Sequence, residues 1–216
     1  MTKLRIVLVD DHKVMREGLR MVLDREDNLQ VVGEANDGLA AVNLARELRP
    51  DVVVMDISMP RVNGLKATEM LKTQTPDTKV LILTRHTYSS YVQQLLGAGA
   101  SGYLLKQSAS EELVRAIRRV SAGHSYLDPA VTAQVVGSIA AVAHRGTSRK
   151  KSLTSREEDV LRFVARGFLT KEIASRLTIS IKTVETHKAN AMNKLGMCSR
   201  IDIVQYAVLH GWLQDA

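Results

Sequence analysis

The chain has 216 residues, of which 45% are hydrophobic and 25% charged, and its formal net charge is +7. That length allows one large domain or two smaller ones, each able to bury its own core. The sequence has no apolar run near the roughly 20 residues of a membrane helix and no signal-peptide pattern, and its single cysteine excludes an internal disulfide. We therefore expect a cytoplasmic protein with no membrane partner.

Positive charge is concentrated toward the C-terminal end. Lys and Arg exceed Asp and Glu by 17 to 15 over residues 1–123, by 3 to 1 over 124–150 and by 10 to 7 over 151–216. A basic surplus of this kind favours a polyanionic partner such as nucleic acid, although by itself it is a weak signal.

In residues 1–123, short apolar runs alternate with amphipathic segments, which is typical of a parallel sheet covered by helices. Helices are predicted between and after the strands, for example at 38–49 and at 110–123, the latter with a Ser110 cap and an end at Gly123. Together they predict a (βα)5 doubly wound α/β domain. The five predicted strands are residues 4–10, 29–35, 51–57, 79–84 and 102–106.

The remainder of the chain has a different pattern. Residues 124–150 are predicted to be a linker, partly helical from Asp128-Pro129, which form an acceptable cap and first-turn pair. The basic, turn-prone stretch "RGTSRKKS" follows from residue 145. From Leu153 onward only helical patterning remains, so residues 151–216 are predicted to form a second, smaller all-α domain.

Polar residues follow four of the predicted strands. Asp10 and Asp11 end the first strand, Asp56 the third, Thr84 the fourth and Lys106 the fifth. Ligands of open parallel sheets bind beyond the carboxyl ends of the strands, so these side chains are expected to converge. Three neighbouring carboxylates repel one another unless a cation lies among them, and oxygen ligands of this kind suit Mg²⁺.

The motifs "VDDH", "VVVMDISMP", "NGL", "LILT" and "GASGYLLK" closely resemble the receiver domain of bacterial two-component response regulators, over residues 4 to about 121. The resemblance implies that Asp56 is the phosphoacceptor and that Lys106 contacts the phosphoryl group. It also implies that Thr84 and Tyr103 are a switch pair. Asp11, Asp56 and the backbone carbonyl of Ser58 are implied to hold Mg²⁺, with Asp10 helping through water.

The chemistry agrees with that assignment. A carboxylate that attacks phosphorus needs the incoming charge neutralised, which Mg²⁺ and Lys106 provide. Dehalogenase-like phosphatases also use a strand-end Asp, but they carry a second acid two residues on, where this chain has Ser58. We therefore expect a phosphoacceptor protein rather than an enzyme, with no small-molecule substrate and at most self-phosphorylation from small donors and self-dephosphorylation. Arg85 follows Thr84 where many receivers have a small residue, and it is expected to lean over the pocket.

The C-terminal segment has helix-turn-helix spacing. Thr154 or Ser155 is predicted to cap a first helix, and "TKEIASRL", a tight "TIS" and "IKTVETHKANAMNKLG" then give two helices separated by about three residues. A fourth helix is predicted from about Arg200 to His210. On the third helix Val184, Ala191 and Leu195 share one face, which leaves the opposite face free to contact a ligand.

"LTSREEDVL", "KEIASRL", "IKTVETH" and "KLG" strongly resemble the LuxR-type helix-turn-helix of NarL/FixJ response regulators. The resemblance implies that the helix from Ile181 to Leu195 enters the DNA major groove and that the helix from Arg200 to His210 forms a dimer contact on DNA. The expected DNA contacts are Lys171, Lys182, Thr183, Glu185, Thr186, Lys188, Ala189 and Asn190.

The function predicted from the whole chain is a phosphorylation-controlled transcription regulator. A sensor histidine kinase is implied as phosphodonor, and a homodimer is expected on paired promoter half-sites about one helical turn apart. One alternative is a phosphorylation-independent DNA binder whose receiver is a fixed dimerisation module, against which the intact Asp56, Thr84 and Lys106 argue. Another is an autoinducer sensor, which needs an aromatic-lined pocket, yet the N-terminal half has no Trp and no Phe.

Overall fold

The structure is a computed structural model that describes residues 3–85, 89–132, 153–195, 197 and 199–213. The chain divides into two compact units, residues 1–138 and 139–216. No helix in the described part of the chain is long and apolar enough to cross a membrane. Most of the predicted linker, residues 133–150, lies outside the described residues.

The N-terminal unit is a parallel sheet with the strand order β2-β1-β3-β4-β5-β6. The chain adds β2 on one side of β1 and β3 to β6 on the other, which is doubly wound topology with a switch point at β1 and β3. Its elements are β1 (Leu4–Val9), α1 (Lys13–Leu23), β2 (Leu29–Ala35), α2 (Gly38–Leu48), β3 (Val52–Asp56), α3 (Gly64–Gln74), β4 (Lys79–Thr84), α4 (Ser89–Gly97), β5 (Gly102–Leu105), α5 (Ala109–Ser121) and β6 (Tyr126–Leu127).

Helices cover both faces of this sheet, and this explains the apolar strand sequences. Every residue of β3 is buried, and so are all four of β5. Such strands have nearly continuous aliphatic sequence because neither face meets water. On one side α5 contributes Leu113, Ile117 and Val120 to the core, all with 0% exposure. The amphipathic pattern of α5 therefore follows from one face packing on the sheet.

The predicted α/β architecture is confirmed, with several differences in detail. The sheet has six strands instead of five, because Tyr126–Leu127 pairs in parallel with β5. The predicted Ser110 cap is wrong, since α5 begins at Ala109 and Ser108 at the N-cap position makes no side-chain capping hydrogen bond. The helix predicted at 38–49 ends one residue earlier, at Leu48, because Arg49 turns into the left-handed region with φ 43°.

The described residues of the C-terminal unit form the helices α6 (Ser155–Ala165), α7 (Thr170–Leu177), α8 (Ile181–Leu195) and α9 (Arg200–Leu209). The predicted bounds of the third helix are those observed, and the fourth ends at Leu209 instead of His210. Thr154 caps α6 in a capping box, in which the Thr154 backbone N–H donates to Glu157 Oε2 at 2.8 Å. Thr178 adopts φ 57° and provides the tight turn between α7 and α8. A core shared by all four helices includes Leu161, Ile173, Val184, Ile203 and Trp212.

Candidate functional site

The carboxyl ends of β1, β3 and β5 bring three charged side chains together. The ammonium group of Lys106, just after β5, lies 2.7 Å from Asp10 Oδ2 and 2.9 Å from Asp56 Oδ2. The side chains of Lys106, Asp10 and Asp56 are 6%, 1% and 4% exposed. One ammonium group therefore pairs with two buried carboxylates at the rim of the sheet, which leaves an excess of negative charge there.

Asp11 and His12 extend this cluster toward solvent. Ligand atoms of Asp10, Asp11, His12 and Asp56 all lie within 4.8 Å of one another. His12 Nδ1 is 2.7 Å from Asp11 Oδ1 and 3.2 Å from Asp10 Oδ1. The buried Asp10 Oδ2 is in ion-pair contact with Lys106, but it makes no hydrogen bond of good directional geometry. Three carboxylates with an incompletely satisfied oxygen fit a hard divalent cation such as Mg²⁺.

The carboxylate of Asp56 is held in a defined orientation. The backbone N–H of Ile57 donates to its Oδ1 at 2.7 Å, and Lys106 contacts its Oδ2. Burial raises the pKa of Asp56, the hydrogen bond and charge of Lys106 oppose that rise, and the net pKa is above the usual value. Desolvation therefore changes the pKa of Asp56 more than any neighbouring charge does.

An open pocket of about 230 Å³ gives solvent access to Asp56. Arg85 is exposed and lines this pocket, where the sequence placed it. Its guanidinium adds a second positive charge to that of Lys106 around the entrance, which favours an anionic ligand. The lining residues are His12, Asp56, Ser58, Arg85 and Lys106.

Thr84 and Tyr103 contact each other beneath the rim. Thr84 ends β4 with 1% exposure, and Tyr103 on β5 is fully buried. Burial raises the pKa of the Tyr103 hydroxyl, and a side-chain hydrogen bond with Thr84 opposes the rise. The structure therefore joins the two residues through their hydroxyl groups.

The sequence did not reveal two residues that support the acidic rim. Arg16 on α1 donates to the backbone carbonyl of Asp10 at 2.7 Å and to Glu34 Oε2 at 3.1 Å. Gly64 begins α3 so close to β3 that a Cβ there would lie 2.2 Å from the carbonyl oxygen of Asp56. The "NGL" motif contains that glycine, but the sequence alone gives no distance from it to Asp56.

Helix α8 presents two different faces, as the helical wheel predicts. Val184 and Ala191 are buried and Leu195 packs against the same core. Lys171 on α7 is exposed, whereas Thr183 and Lys188 are partly exposed. Thr183 hydrogen-bonds to Ser180 through its hydroxyl at 2.7 Å. The exposed residues of the opposite face are Lys182, Glu185, Thr186, Ala189, Asn190 and Asn193.

A partly buried ion pair links α8 to the start of α6. Lys194 Nζ lies 2.6 Å from Glu157 Oε2, and Glu157 is 4% exposed. Burial works against the charged form of Glu157, but hydrogen bonds from Lys194 and Thr154 outweigh it and lower the pKa of this carboxyl. The same side chain therefore caps α6 and orients the exposed face of α8.

Two family models match the chain. The response regulator receiver domain matches residues 6–118, and the luxR family of bacterial regulatory proteins matches residues 151–207. Among curated relatives, the oxygen regulatory protein NreC of Staphylococcus aureus is 40% identical over 210 residues, which cover 95% of this chain and 97% of that protein.

Solved structures of response regulators are also similar. RcsB of Salmonella enterica serovar Typhimurium, bound to promoter P1flhDC in the presence of phosphomimetic BeF₃⁻, matches with a TM-score of 0.79 and 29% identity over 97% of this chain and 100% of that one. The response regulator ChrA of a heme-sensing two-component system matches with a TM-score of 0.54 and 33% identity over 99% of this chain and all of its own. The chain belongs to the response regulators that join a receiver domain to a LuxR-type DNA-binding domain.

Proposed function

We propose that this response regulator accepts a phosphoryl group on Asp56 from a sensor histidine kinase and, in that state, binds promoter DNA as a homodimer. The observation that carries the proposal is the Asp56 carboxylate, which is buried, paired with Lys106 and reached from solvent through the pocket lined by Arg85 and Ser58. A regulator of promoter DNA acts where the bacterial chromosome is, in the cytoplasm.

The chain's own groups fit phosphoryl transfer. A carboxylate oxygen of Asp56 forms a bond to phosphorus as the bond from phosphorus to the donor breaks, a phosphorus–nitrogen bond for phosphohistidine and a phosphorus–oxygen bond for acetyl phosphate. Lys106, already 2.9 Å from Asp56 Oδ2, stabilises the negative charge on the transferred group. The attacking group is the ionised carboxylate, a form that the charge and hydrogen bond of Lys106 favour, so the attack itself needs no general base.

The residues suited to hold Mg²⁺ are Asp11, Asp56 and the backbone carbonyl of Ser58, with Asp10 acting through water. Bound Mg²⁺ would supply the electrostatic neutralisation that three neighbouring carboxylates and an incoming phosphoryl group require. Asp11 supports this assignment because its side chain is 31% exposed at the open side of the cluster. The same arrangement supports self-phosphorylation from small donors and slow self-dephosphorylation.

Thr84 and Tyr103 are proposed to be the switch pair that responds to phosphorylation of Asp56. The phosphoryl oxygens attract the Thr84 hydroxyl, and the hydrogen bond between Thr84 and Tyr103 passes that displacement to the buried ring.

The exposed face of α8 is proposed to enter the major groove. Lys171, Lys182 and Lys188 contact phosphates, whereas Glu185 and Ala189 face bases. The remaining proposed contacts are Thr183, Thr186 and Asn190. On α9, Ile201 and Val208 are 61% and 41% exposed and lie two helical turns apart on one face, which supports the proposed dimer contact there.

The test compares wild type with Asp56→Asn. Acetyl phosphate and Mg²⁺ should add one phosphate to wild type and none to the variant by intact-mass analysis, and only wild type should gain affinity for its promoter sites. Asp51→Asn, at the opposite end of β3, is the matched control and should be labelled like wild type. Equal labelling of Asp56→Asn would refute the site assignment. Equal promoter binding with and without phosphorylation would favour the fixed dimerisation module.

A further inference from the structure

Asp128 is a buried carboxylate with no part in the phosphoacceptor chemistry. It follows β6, is 1% exposed, and its Oδ2 accepts a hydrogen bond from the backbone N–H of Leu105 at 3.0 Å. Its own backbone N–H donates to the carbonyl of Tyr103 at 2.8 Å. Both partners belong to β5, the strand that contains Tyr103 and leads directly into Lys106.

The side chain of Asp128 takes the place of a missing sheet carbonyl. The backbone carbonyl of Asp128 accepts from the N–H groups of Val131 and Thr132 at 3.0 and 3.1 Å, because a helical turn begins at Pro129. That carbonyl is therefore unavailable to the N–H of Leu105, and the carboxylate substitutes for it. The other carboxylate oxygen, Oδ1, accepts from the N–H of Ala130 at 2.9 Å and caps the same turn.

The side chain of Asp128 thus joins the end of β5 to the turn at 129–132, two segments that the phosphoacceptor site itself does not connect. On its other side Leu105 pairs with Thr84 in the sheet, so it lies between the proposed switch hydroxyl and Asp128. Hydrogen bonds to a charged acceptor are stronger than neutral ones, and breaking this bond would leave the N–H of Leu105 buried without a partner. A direct hydrogen-bonded connection therefore runs from the end of β5 to the turn at 129–132.

We propose that Asp128 is a positioning residue that couples the end of β5, next to Lys106 and Thr84, to the helical turn from which the chain continues toward the DNA-binding unit. This inference rests on the proposed function, because it supplies the path by which phosphorylation of Asp56 reaches that turn. No contact between the two units is needed, since the coupling lies within the N-terminal unit.

Two variants separate the coupling from simple helix capping. Asp128→Ser keeps an acceptor for the N–H of Ala130, but its shorter side chain cannot also reach Leu105. Asp128→Asn keeps the shape but leaves one acceptor oxygen for two N–H donors, so it cannot bind both Leu105 and Ala130. Tyr126→Phe is the matched control, because it removes the 2.6 Å hydrogen bond between Tyr126 and Glu112 in the same short strand and leaves Asp128 in place.

The full-length proteins are compared by the ratio of promoter affinity with and without acetyl phosphate at one salt concentration. Both Asp128 variants should still gain one phosphate on Asp56, but their affinity ratio should fall by about tenfold, the effect expected for one buried charge-assisted hydrogen bond. Tyr126→Phe should keep the wild-type ratio. A wild-type ratio in both Asp128 variants would overturn the inference and leave Asp128 as a cap.

A failure of the proposed function gives a different result. In that case wild-type protein would bind its promoter equally with and without acetyl phosphate, and there would be no phosphorylation signal for Asp128 to transmit. Amide hydrogen exchange in wild type keeps the test decisive if both Asp128 variants misfold. Phosphorylation should change the protection of the Leu105 and 130–132 amides together. Unchanged protection at 130–132 in phosphorylated wild type would overturn the coupling.

Discussion

Gly64→Ala tests whether the start of α3 sets the position of Asp56. An added Cβ would lie 2.2 Å from the carbonyl oxygen of Asp56 and 2.8 Å from the Cα of Ile57. Both neighbours are backbone atoms, so no rotamer change relieves the contact, and the oxygen has to withdraw from 2.2 Å to at least 3.0 Å. Overpacking of this kind costs about 1–3 kcal/mol, and we expect the upper half of that range.

Gly18→Ala is the matched control. Gly18 lies in the middle of α1, and a Cβ there would meet nothing within 4 Å. The same chemical change should therefore stabilise the receiver by about 0.5–1 kcal/mol, because alanine loses less backbone entropy than glycine in a helix.

Urea unfolding and the rate of labelling by acetyl phosphate measure the two consequences. Gly64→Ala should lower the unfolding midpoint and also slow labelling, since the displaced backbone includes Asp56 and the Ser58 loop. Gly18→Ala should raise the midpoint and leave labelling unchanged. The reasoning would be refuted by a Gly64→Ala protein with wild-type stability and labelling, or by a Gly18→Ala protein that is destabilised to the same extent.

Three further predictions concern the two sites. Lys194→Met removes the ion pair with Glu157 and should destabilise the DNA-binding unit by about 1–2 kcal/mol, a modest value because solvent partly screens Lys194. Because the pKa of Glu157 is lowered on folding, its stabilisation is present above the ordinary carboxyl pKa and lost as the pH falls through the folded pKa, so thermal unfolding should show a smaller acid-induced loss in Lys194→Met than in wild type. Arg85→Ala should shorten the half-life of the phosphoryl group on Asp56 severalfold, measured by the decay of label. An unchanged half-life would argue against a contact between the Arg85 guanidinium and the phosphoryl group. Lys182→Ala should weaken binding to every duplex and reduce the salt slope by about one, whereas Glu185→Ala should change one base preference in a randomised operator library.

The acidic rim could be predicted because it follows from a general rule of parallel sheets. Asp10, Asp56 and Lys106 each come directly after an apolar run, and the carboxyl ends of parallel strands meet at one edge. The DNA-binding unit was predictable for a different reason, since its helices have strong local signals, such as the capping box of Thr154 and Glu157.

The parts that the sequence did not reveal depend on non-local contacts. β6 has only two residues, too few for any periodicity, and it is a strand only because β5 offers an unpaired edge. Asp128 was predicted as a helix cap, which it is, but its bond to Leu105 spans 23 residues of sequence and has no local pattern. Ser110 shows the opposite case, in which a plausible local signal was misleading because the N-cap position is Ser108, two residues earlier.

The pairing of β6 also determines where the receiver can be shortened. Without residues 126–128, the backbone N–H and C=O groups on the outer side of β5 (Gly102–Leu105) would lose their partners in β6. The sheet would then end in an open edge on a hydrophobic strand, and such edges promote aggregation with other chains. A fragment that ends at residue 123 should therefore self-associate and precipitate during purification, although every helix and strand of the predicted (βα)5 unit is present. A fragment that ends after Thr132 retains Tyr126 and the carboxylate of Asp128 over that edge and should remain monodisperse.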